Sequence, residues 1–459
     1  MGGLGRLSRQ DVSNLRVEDY GLPMHVAALA ILEGRPLADA SGRLRLEALQ
    51  RMLEQRLHMA PRLRQVLYRP TFGSGPPLWI DDPDFDVRRH VLTRAVPSPG
   101  DEATLLKVCS ELNEPPLDRS RPLWEMWLLT GLADGEVGLL IRLHHVMADG
   151  VAALALIGSL LDATPDARAP LAPSWIPQPM PGTWELFADN LAQRAAAVTR
   201  VLSGFRRPTS VIPRLSSFVR HVRQLLREGF APRVSFNRPV GRRRRLLLVR
   251  ADLDQARAVA HAHGAKVNDV VLAAVAGGAR RLLDNRRELK PGMIVKASVA
   301  ASIREPADDQ AGGNRVGIIL APLPVSEPDP VRRLEEIARA TRKRKGQAPY
   351  QPSARFLQRW MVHGMFHQRL VNLFTSNLPG PPTHMYLGHA RILELFQVGV
   401  LQGNVTIAVG VLSYAGQLNF DIVADADACP DVQEFADGLG KALQELGVPT
   451  AVQTDDLVH

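Results

Sequence analysis

Two adjacent histidines, with an aspartate and a glycine shortly after, form the stretch of this chain best equipped for chemistry: His144-His145-Val146-Met147-Ala148-Asp149-Gly150. An imidazole titrates near neutrality and can take a proton from a hydroxyl as that oxygen attacks carbon. The pair closes an apolar run, Leu139-Leu140-Ile141-Arg142-Leu143, that reads as a strand. Strand side chains alternate faces, so Leu143 and His145 point one way and Arg142 and His144 the other. Only one of the two rings can therefore look into a given cavity. Asp149 suits a loop brace or the N-cap of the alanine- and leucine-rich helix expected over 151–161. Gly150 permits a backbone conformation that a side chain would obstruct. A satisfied core histidine and a plain helix cap fit the same residues, and taken singly they leave both readings open.

The elements that must position this stretch are legible on either side of it. Upstream, residues 23–32 read as a buried strand and 44–57 as an amphipathic helix with Leu46, Leu49, Leu53 and Leu57 on one face. His25, on that strand, is read as structural. Short strands are expected near 63–68 and 78–80, and a helix over 101–113. A strand over 124–130 feeds the histidine strand through the turn Ala133-Asp134-Gly135-Glu136, as a hairpin. Ser8 and Asp11 have the spacing of a capping pair at the start of a short helix.

Downstream, the proline-rich stretch 163–188 reads as a crossover. Residues 214–228 form a basic amphipathic stretch suited to an anionic membrane or to packing on the rest of the chain. The run Arg242-Arg243-Arg244-Arg245 precedes a strand. With no aromatic interleaving and no nucleic-acid motif, it reads as a solvated strand start or an edge for phosphate contact. Helices are expected over 253–263, 267–283, 329–345, 354–370 and 431–446. Strands are expected at 294–302, 316–323, 373–376 and 393–400, with a closing hairpin, 405–413 and 417–423, turned at Ala415-Gly416. Helix and strand mixed through both halves predict an α/β fold with mixed sheets in two layers.

The totals set bounds. A chain of 459 residues suggests two domains of roughly 200 residues each. Boundaries are placed at 1–165, at a linker over 166–240, and at 241–459. A hydrophobic share of 45% and a charged share of 22% are those of a globular protein. No apolar window reaches the roughly 18–20 residues of a membrane span. The opening residues lack the apolar core of a secretory signal, so the expected compartment is the cytoplasm. Cys109 and Cys429 are too far apart to suggest a disulfide framework or a metal site. A net charge of +9 favours polyanions, whether nucleic acid, an anionic membrane or the phosphates of a cofactor-like substrate.

The heptapeptide resembles the HHxxxDG signature of the CoA-dependent acyltransferase superfamily. Other matches narrow the branch: Leu7-Ser8 with Asp11, Met24-His25-Val26, Pro116-Leu117-Asp118-Arg119, Pro122-Leu123-Trp124, Asn268-Asp269, Asn314-Arg315-Val316-Gly317 and Ser376-Asn377-Leu378-Pro379-Gly380-Pro381. Together they resemble the wax ester synthase/acyl-CoA:diacylglycerol acyltransferase family over almost the whole chain. Leu378 stands where valine is commoner in that family, a swap that touches only packing.

The resemblance implies two chloramphenicol-acetyltransferase-like domains with an active-site tunnel at their interface. It implies direct transfer of a long-chain acyl group from acyl-CoA to diacylglycerol, or alternatively to a long-chain alcohol, without an acyl-enzyme. His145 is expected to be the general base and His144 to support it. Asp149 would orient the loop, with Arg304 as a candidate partner, and Gly150 would shape it. Pro122, Leu123, Trp124, Asn268 and Asp269 are expected to be architectural. No metal and no cofactor beyond the acyl-CoA co-substrate are expected, and no nucleic acid. The expected location is peripheral, on the inner membrane face or on lipid inclusions. A carrier-protein-dependent condensation enzyme shares the double histidine and is the alternative from a different class.

Overall fold

A computed structural model describes residues 4–8, 11–12, 15, 18, 23–71, 73–148, 150–167, 173–205, 229–302, 316–344 and 366–452. In the N-terminal half the chain runs β1 (His25–Glu33), α1 (Leu46–Arg56), β2 (Gln65–Tyr68), β3 (Leu78–Asp81), β4 (Val91–Ala95), α2 (Glu102–Asn113), β5 (Trp124–Thr130), β6 (Glu136–His144) and α3 (Gly150–Gly158). A 23-residue helix, α4 (Thr183–Phe205), follows.

The second half runs β7 (Arg244–Asp252), α5 (Leu253–Ala262), α6 (Val267–Asn285), β8 (Val295–Ser302), β9 (Val316–Leu323), α7 (Pro330–Arg344) and β10 (Leu373–Pro379). It continues through β11 (Tyr386–Leu387), β12 (Ala390–Val398), β13 (Ile407–Tyr414), β14 (Gln417–Asp425), α8 (Val432–Glu445) and β15 (Thr450–Val452).

Two mixed sheets organise the described residues. The first has the order β11-β12-β1-β6-β5-β4, the second β15-β7-β14-β13-β10-β8-β9. The histidine strand β6 is central in the first sheet, antiparallel to β1 and to β5. Its sequence, EVGLLIRLH, is buried on both faces after the first residue, which explains a run of apolar residues without polar alternation. The hairpin from β5 turns through a five-residue loop, 131–135, in which Gly131 (φ 89°), Asp134 (φ 60°) and Gly135 (φ 69°) are left-handed. The β13–β14 hairpin has a two-residue turn, with Ala415 (φ 46°) and Gly416 (φ 85°) as the left-handed pair such hairpins favour.

The first sheet is not built from the N-terminal half alone. Strands β11 and β12, from deep in the C-terminal half, add to its edge, with Ala27 opposite Val398 and Leu29 opposite Phe396. The second sheet is covered on one face by α6 and α8 over the largest apolar core of the molecule. Its other face contributes Ala408 and Val423 to a cluster shared with Leu29 and Leu140 of the first sheet. The two sheets thus meet through a common apolar seam.

Several expectations meet a different outcome, or fall outside the described residues. Helix α4 begins inside the stretch read as a crossover: once the prolines end at Pro181, Thr183 opens a helix that the proline count had hidden. The stretch 214–228 lies outside the described residues. Of the helix expected over 354–370, residues 354–365 lie outside them and 366–370 are not helical. The arginine run, read as a solvated strand start or an edge for phosphate contact, is exposed at Arg242 and Arg243 as a solvated strand start would be, and several of its members also meet the protein. Arg243 pairs with Asp427, Arg244 donates to the Gly241 carbonyl (2.7 Å), and Arg245 donates to the Pro430 carbonyl (2.9 Å).

Candidate active site

At the end of β6 the two imidazoles part. His144 is 1% exposed and directed away from the cavity described below. The Val146 N–H donates to its Nδ1 at 3.1 Å, so the ring proton sits on Nε2, which donates to Glu18 Oε2 at 3.2 Å. Arg119 donates to the same carboxylate, from Nε at 2.9 Å and more closely from its terminal nitrogen. Burial alone would raise the Glu18 pKa. The hydrogen bond from His144, joined by the hydrogen bonds and charge of Arg119, outweighs it and holds Glu18 down to about 2. Across the sheet from His144 lies His25, whose Nε2–H donates to the Asn113 carbonyl at 2.7 Å. Burial, reinforced by the charge of Arg142, lowers His25 to about 3 and keeps it neutral.

His145 is half-buried and faces the other way. Its backbone N–H donates to the Met24 carbonyl at 2.7 Å, tying the turn after β6 to the start of β1. Its side chain lines a cavity of about 350 Å³ between the two sheets. One wall is Val26, Ala28, Ile141 and Leu143, which share a face of the paired strands β1 and β6. Helix α3 contributes Ala153 and Ile157, and β10 and β13 close the far side through Phe374, Leu378, Ala408 and Leu412. The lining is largely apolar, with polar points at Ser298, Ser376 and Gln397. That volume falls in the range of small-molecule sites, roughly 300–1,000 Å³. An imidazole lining a largely apolar cavity can exchange a proton with a group held there.

Among the described residues, most of the others singled out in the sequence do not line this cavity. Gly150 is the first residue of α3. Asp149 and Arg304 lie outside the described residues, as do Asn314 and Arg315. Leu123 and Trp124 are buried, and Trp124 donates from Nε1 to the Leu63 carbonyl (2.8 Å) while stacking on His90 at 4.7 Å. The Pro122 carbonyl accepts the Trp124 N–H at 2.8 Å. Asp269 accepts the Lys266 N–H (2.9 Å) and the Thr341 hydroxyl (2.7 Å), closing the first turn of α6. Beside it, Asn268 Oδ1 accepts from Asn377 Nδ2 at 3.4 Å, so the Asn268-Asp269 motif meets the Ser376–Pro381 motif next to the cavity wall. Ser8 and Asp11 exchange hydrogen bonds as a capping pair.

Glu18 and Gln397 were not anticipated. Glu18 has only the general signal of an acidic residue near a buried histidine strand, and its partner lies 126 positions away. Gln397, on β12, crosses to the second sheet, donating from Nε2 to the Ser376 and Val411 carbonyls at 2.9 and 2.8 Å. Among the described residues no group of histidines, cysteines or carboxylates is arranged to hold a metal ion. No described helix is long and apolar enough to cross a membrane.

Comparison with known proteins bears on the family and the fold. Residues 7–271 match the wax ester synthase/diacylglycerol acyltransferase catalytic domain, and residues 312–447 match the C-terminal domain of the same family. A Mycobacterium tuberculosis protein named for diacylglycerol O-acyltransferase activity is 32% identical over 96% of this chain and 90% of its own length. A second such protein from that organism is 31% identical, covering 96% of each chain. The solved wax ester synthase/diacylglycerol acyltransferase from Marinobacter aquaeolei VT8 superposes with a TM-score of 0.67 at 25% identity, covering 96% of this chain and 98% of that one. The first condensation domain of the calcium-dependent antibiotic synthetase shares the fold alone, with a TM-score of 0.61 at 14% identity over 98% of this chain and 99% of its own. The histidine pair, the two-sheet seam and these likenesses lead to one conclusion: the chain belongs to the wax ester synthase/diacylglycerol acyltransferase family and is an acyltransferase.

Proposed function

We propose that this acyltransferase moves a long-chain acyl group from acyl-CoA to the hydroxyl of diacylglycerol, forming triacylglycerol, with His145 as the general base and no covalent acyl-enzyme. The observation that carries this reading is the position of His145, half-buried at an apolar cavity between the sheets. An alcohol at neutral pH holds its proton too tightly to attack unaided, so a base must remove it as the new bond forms. A thioester already has a good leaving group. Holding the two substrates in line beside one base therefore suffices, and no cofactor beyond the acyl-CoA itself is required. His145 takes the hydroxyl proton and returns it to the departing CoA thiolate. The relatives named for diacylglycerol acyl transfer favour that acceptor, while the Marinobacter protein is named for wax ester synthesis as well.

The test is an assay with palmitoyl-CoA and either dioleoylglycerol or hexadecanol. Triacylglycerol as the faster product supports the reading, and faster wax ester formation moves the assignment to a long-chain alcohol acceptor. Acylation from an acyl-carrier protein but not from CoA would place the chain among condensation-type enzymes instead. His145→Ala should lower turnover by at least about a hundredfold while the circular dichroism spectrum and melting temperature stay unchanged. Full turnover in that variant removes His145 from the mechanism.

The same reading places the enzyme in the cytoplasm, at the surface of the inner membrane or of lipid inclusions. Helix α4 supports this by leaving Trp184, Phe187, Leu191 and Val198 exposed, Trp184 by 78%. Flotation with anionic liposomes, reduced by Trp184→Ser together with Phe187→Ser, is the expected outcome. No flotation of the unaltered protein counts against a membrane location.

A further inference from the structure

We propose that Glu18 is a positioning residue for acyl transfer: by accepting the Nε2–H of His144 it fixes that ring's tautomer, and the tautomer holds the turn that presents His145 to the cavity. This rests on the reading of His145 as the base and extends it to a residue outside the double-histidine motif.

The turn from His144 to Met147 is held at both ends. The His144 N–H donates to the Leu123 carbonyl (3.0 Å), the His145 N–H to the Met24 carbonyl (2.7 Å), and the Met147 N–H back to the His144 carbonyl (2.8 Å). The middle depends on a side chain, because the Val146 N–H donates to Nδ1 of His144 (3.1 Å). Nδ1 can accept only in the tautomer, or charge state, that leaves it without a proton. A neutral imidazole carries its one proton on whichever nitrogen has an acceptor to meet it. Glu18 provides that acceptor at Nε2 (3.2 Å), with side-chain exposures of only 1% for His144 and 7% for Glu18. If the carboxylate were removed, the proton could move to Nδ1 and face the Val146 N–H, donor against donor. The turn would then have to open, and His145 sits one residue before the displaced N–H.

Arg119 anchors the other side of the arrangement. It binds the Glu18 carboxylate from the loop before β5, so the carboxylate is held from outside the strand it supports. Arg119 lies in the Pro116-Leu117-Asp118-Arg119 motif, and this contact gives that motif a physical task beyond packing.

Three variants and two readouts test the proposal. Glu18→Ala should lower kcat by ten- to a hundredfold and leave KM for palmitoyl-CoA and for the acceptor within about twofold, since no substrate contact is lost. Glu18→Gln, whose carbonyl can still accept the Nε2–H, should recover most of the kcat lost in Glu18→Ala. Ring-nitrogen NMR of His144 should report the Nε2–H tautomer in the unaltered protein and in Glu18→Gln, and its loss in Glu18→Ala. Wild-type kcat in a folded Glu18→Ala variant overturns the proposal, and so does a Glu18→Gln variant as impaired as Glu18→Ala. If Glu18→Ala does not fold, Glu18→Asp takes its place, withdrawing the carboxylate by one methylene. A fall in kcat at constant KM is again expected, and wild-type kcat again overturns it.

The double variant Glu18→Ala/His145→Ala separates this proposal from the one beneath it. Turnover equal to that of His145→Ala alone means that Glu18 acts through His145, and additive losses mean that it does not. Full activity of His145→Ala would sink the base assignment first, and the NMR readout would still show independently whether Glu18 sets the His144 tautomer.

Discussion

Asp421 is a carboxyl in an apolar seam, 1% exposed. Its Oδ2 accepts the Gly399 N–H at 3.3 Å, and its Oδ1 has no partner among the described residues. It lies opposite Gly410 across β13 and β14, and the absence of a side chain there makes room for it: a Cβ on Gly410 would stand 2.0 Å from Oδ1. Burial pushes its pKa up to about 8, so the folded protein keeps this group neutral at pH 7. An unfolded chain releases that proton near the ordinary carboxylate value of about 3.9. Between those values the folded state binds the extra proton, so stability contributed by this group is complete below the lower value and declines as pH rises to about 8. Asp421→Asn removes the dependence. The variant should melt higher than the parent at pH 8, and the gap should narrow toward pH 4.5; parallel melting temperatures across that range would show that the group is not held neutral. Glu18 acts in the opposite sense. With its pKa lowered to about 2, it contributes stability present above the ordinary glutamate value and lost as pH falls toward 2. Glu18→Gln should flatten that acid limb of the pH–stability curve.

At the scale of elements, the contact between α6 and α8 depends on small residues. A Cβ on Gly277 would stand 2.3 Å from the Ala442 Cβ, and one on Gly278 would stand 2.6 Å from the Phe435 carbonyl oxygen. Gly438 approaches from the other helix, 2.9 Å from the Gly277 carbonyl when given a Cβ. The helices are close because these positions carry nothing, and the core of the second sheet packs on that approach. Gly278→Ala should therefore destabilise by about 1–3 kcal/mol, the usual cost of overpacking. Gly158, at the end of α3, has nothing within 4 Å of its added Cβ. Gly158→Ala should be neutral or stabilise by up to about 1 kcal/mol through helix propensity alone. Urea titration of the two variants measures the contrast, and equal effects would mean that the α6–α8 contact is slacker than its distances indicate.

Across the whole molecule, Arg250 of β7 ties the second sheet to both partners of the first. It donates to Glu394 of β12 at 2.6 and 2.7 Å and to Glu102 of α2 at 2.5 Å, and its guanidinium lies over Phe396 at 5.3 Å. Arg250→Met keeps much of the volume but leaves two carboxylates facing each other at the seam. Removing one partner of a largely buried ion pair is costly because the other charges stay behind. A lower melting temperature and faster proteolysis between β9 and β12 are expected, with partial recovery on adding Glu102→Gln. Unchanged proteolysis would mean that the seam is held by apolar packing alone.

How much of this was legible depends on the range of the interaction involved. Hairpins turned at Asp134-Gly135 and Ala415-Gly416, the buried strand β6 and the capped start of α6 all follow from local turn chemistry and apolar spacing, which act within a few residues. The parting of His144 from His145 is read from strand alternation, and the structure sets it where β6 ends at His144 and the turn begins at His145; the family follows from motifs read in order along the chain. Tertiary structure alone decided that Glu18 would meet His144, that residues 386–398 would complete the first sheet beside β1, and that Asp421 would be sealed over Gly410. Each of these depends on strand register and on the closing of loops of tens to hundreds of residues. Such pairings leave no periodic trace in the sequence, because many other partners would satisfy the same local pattern.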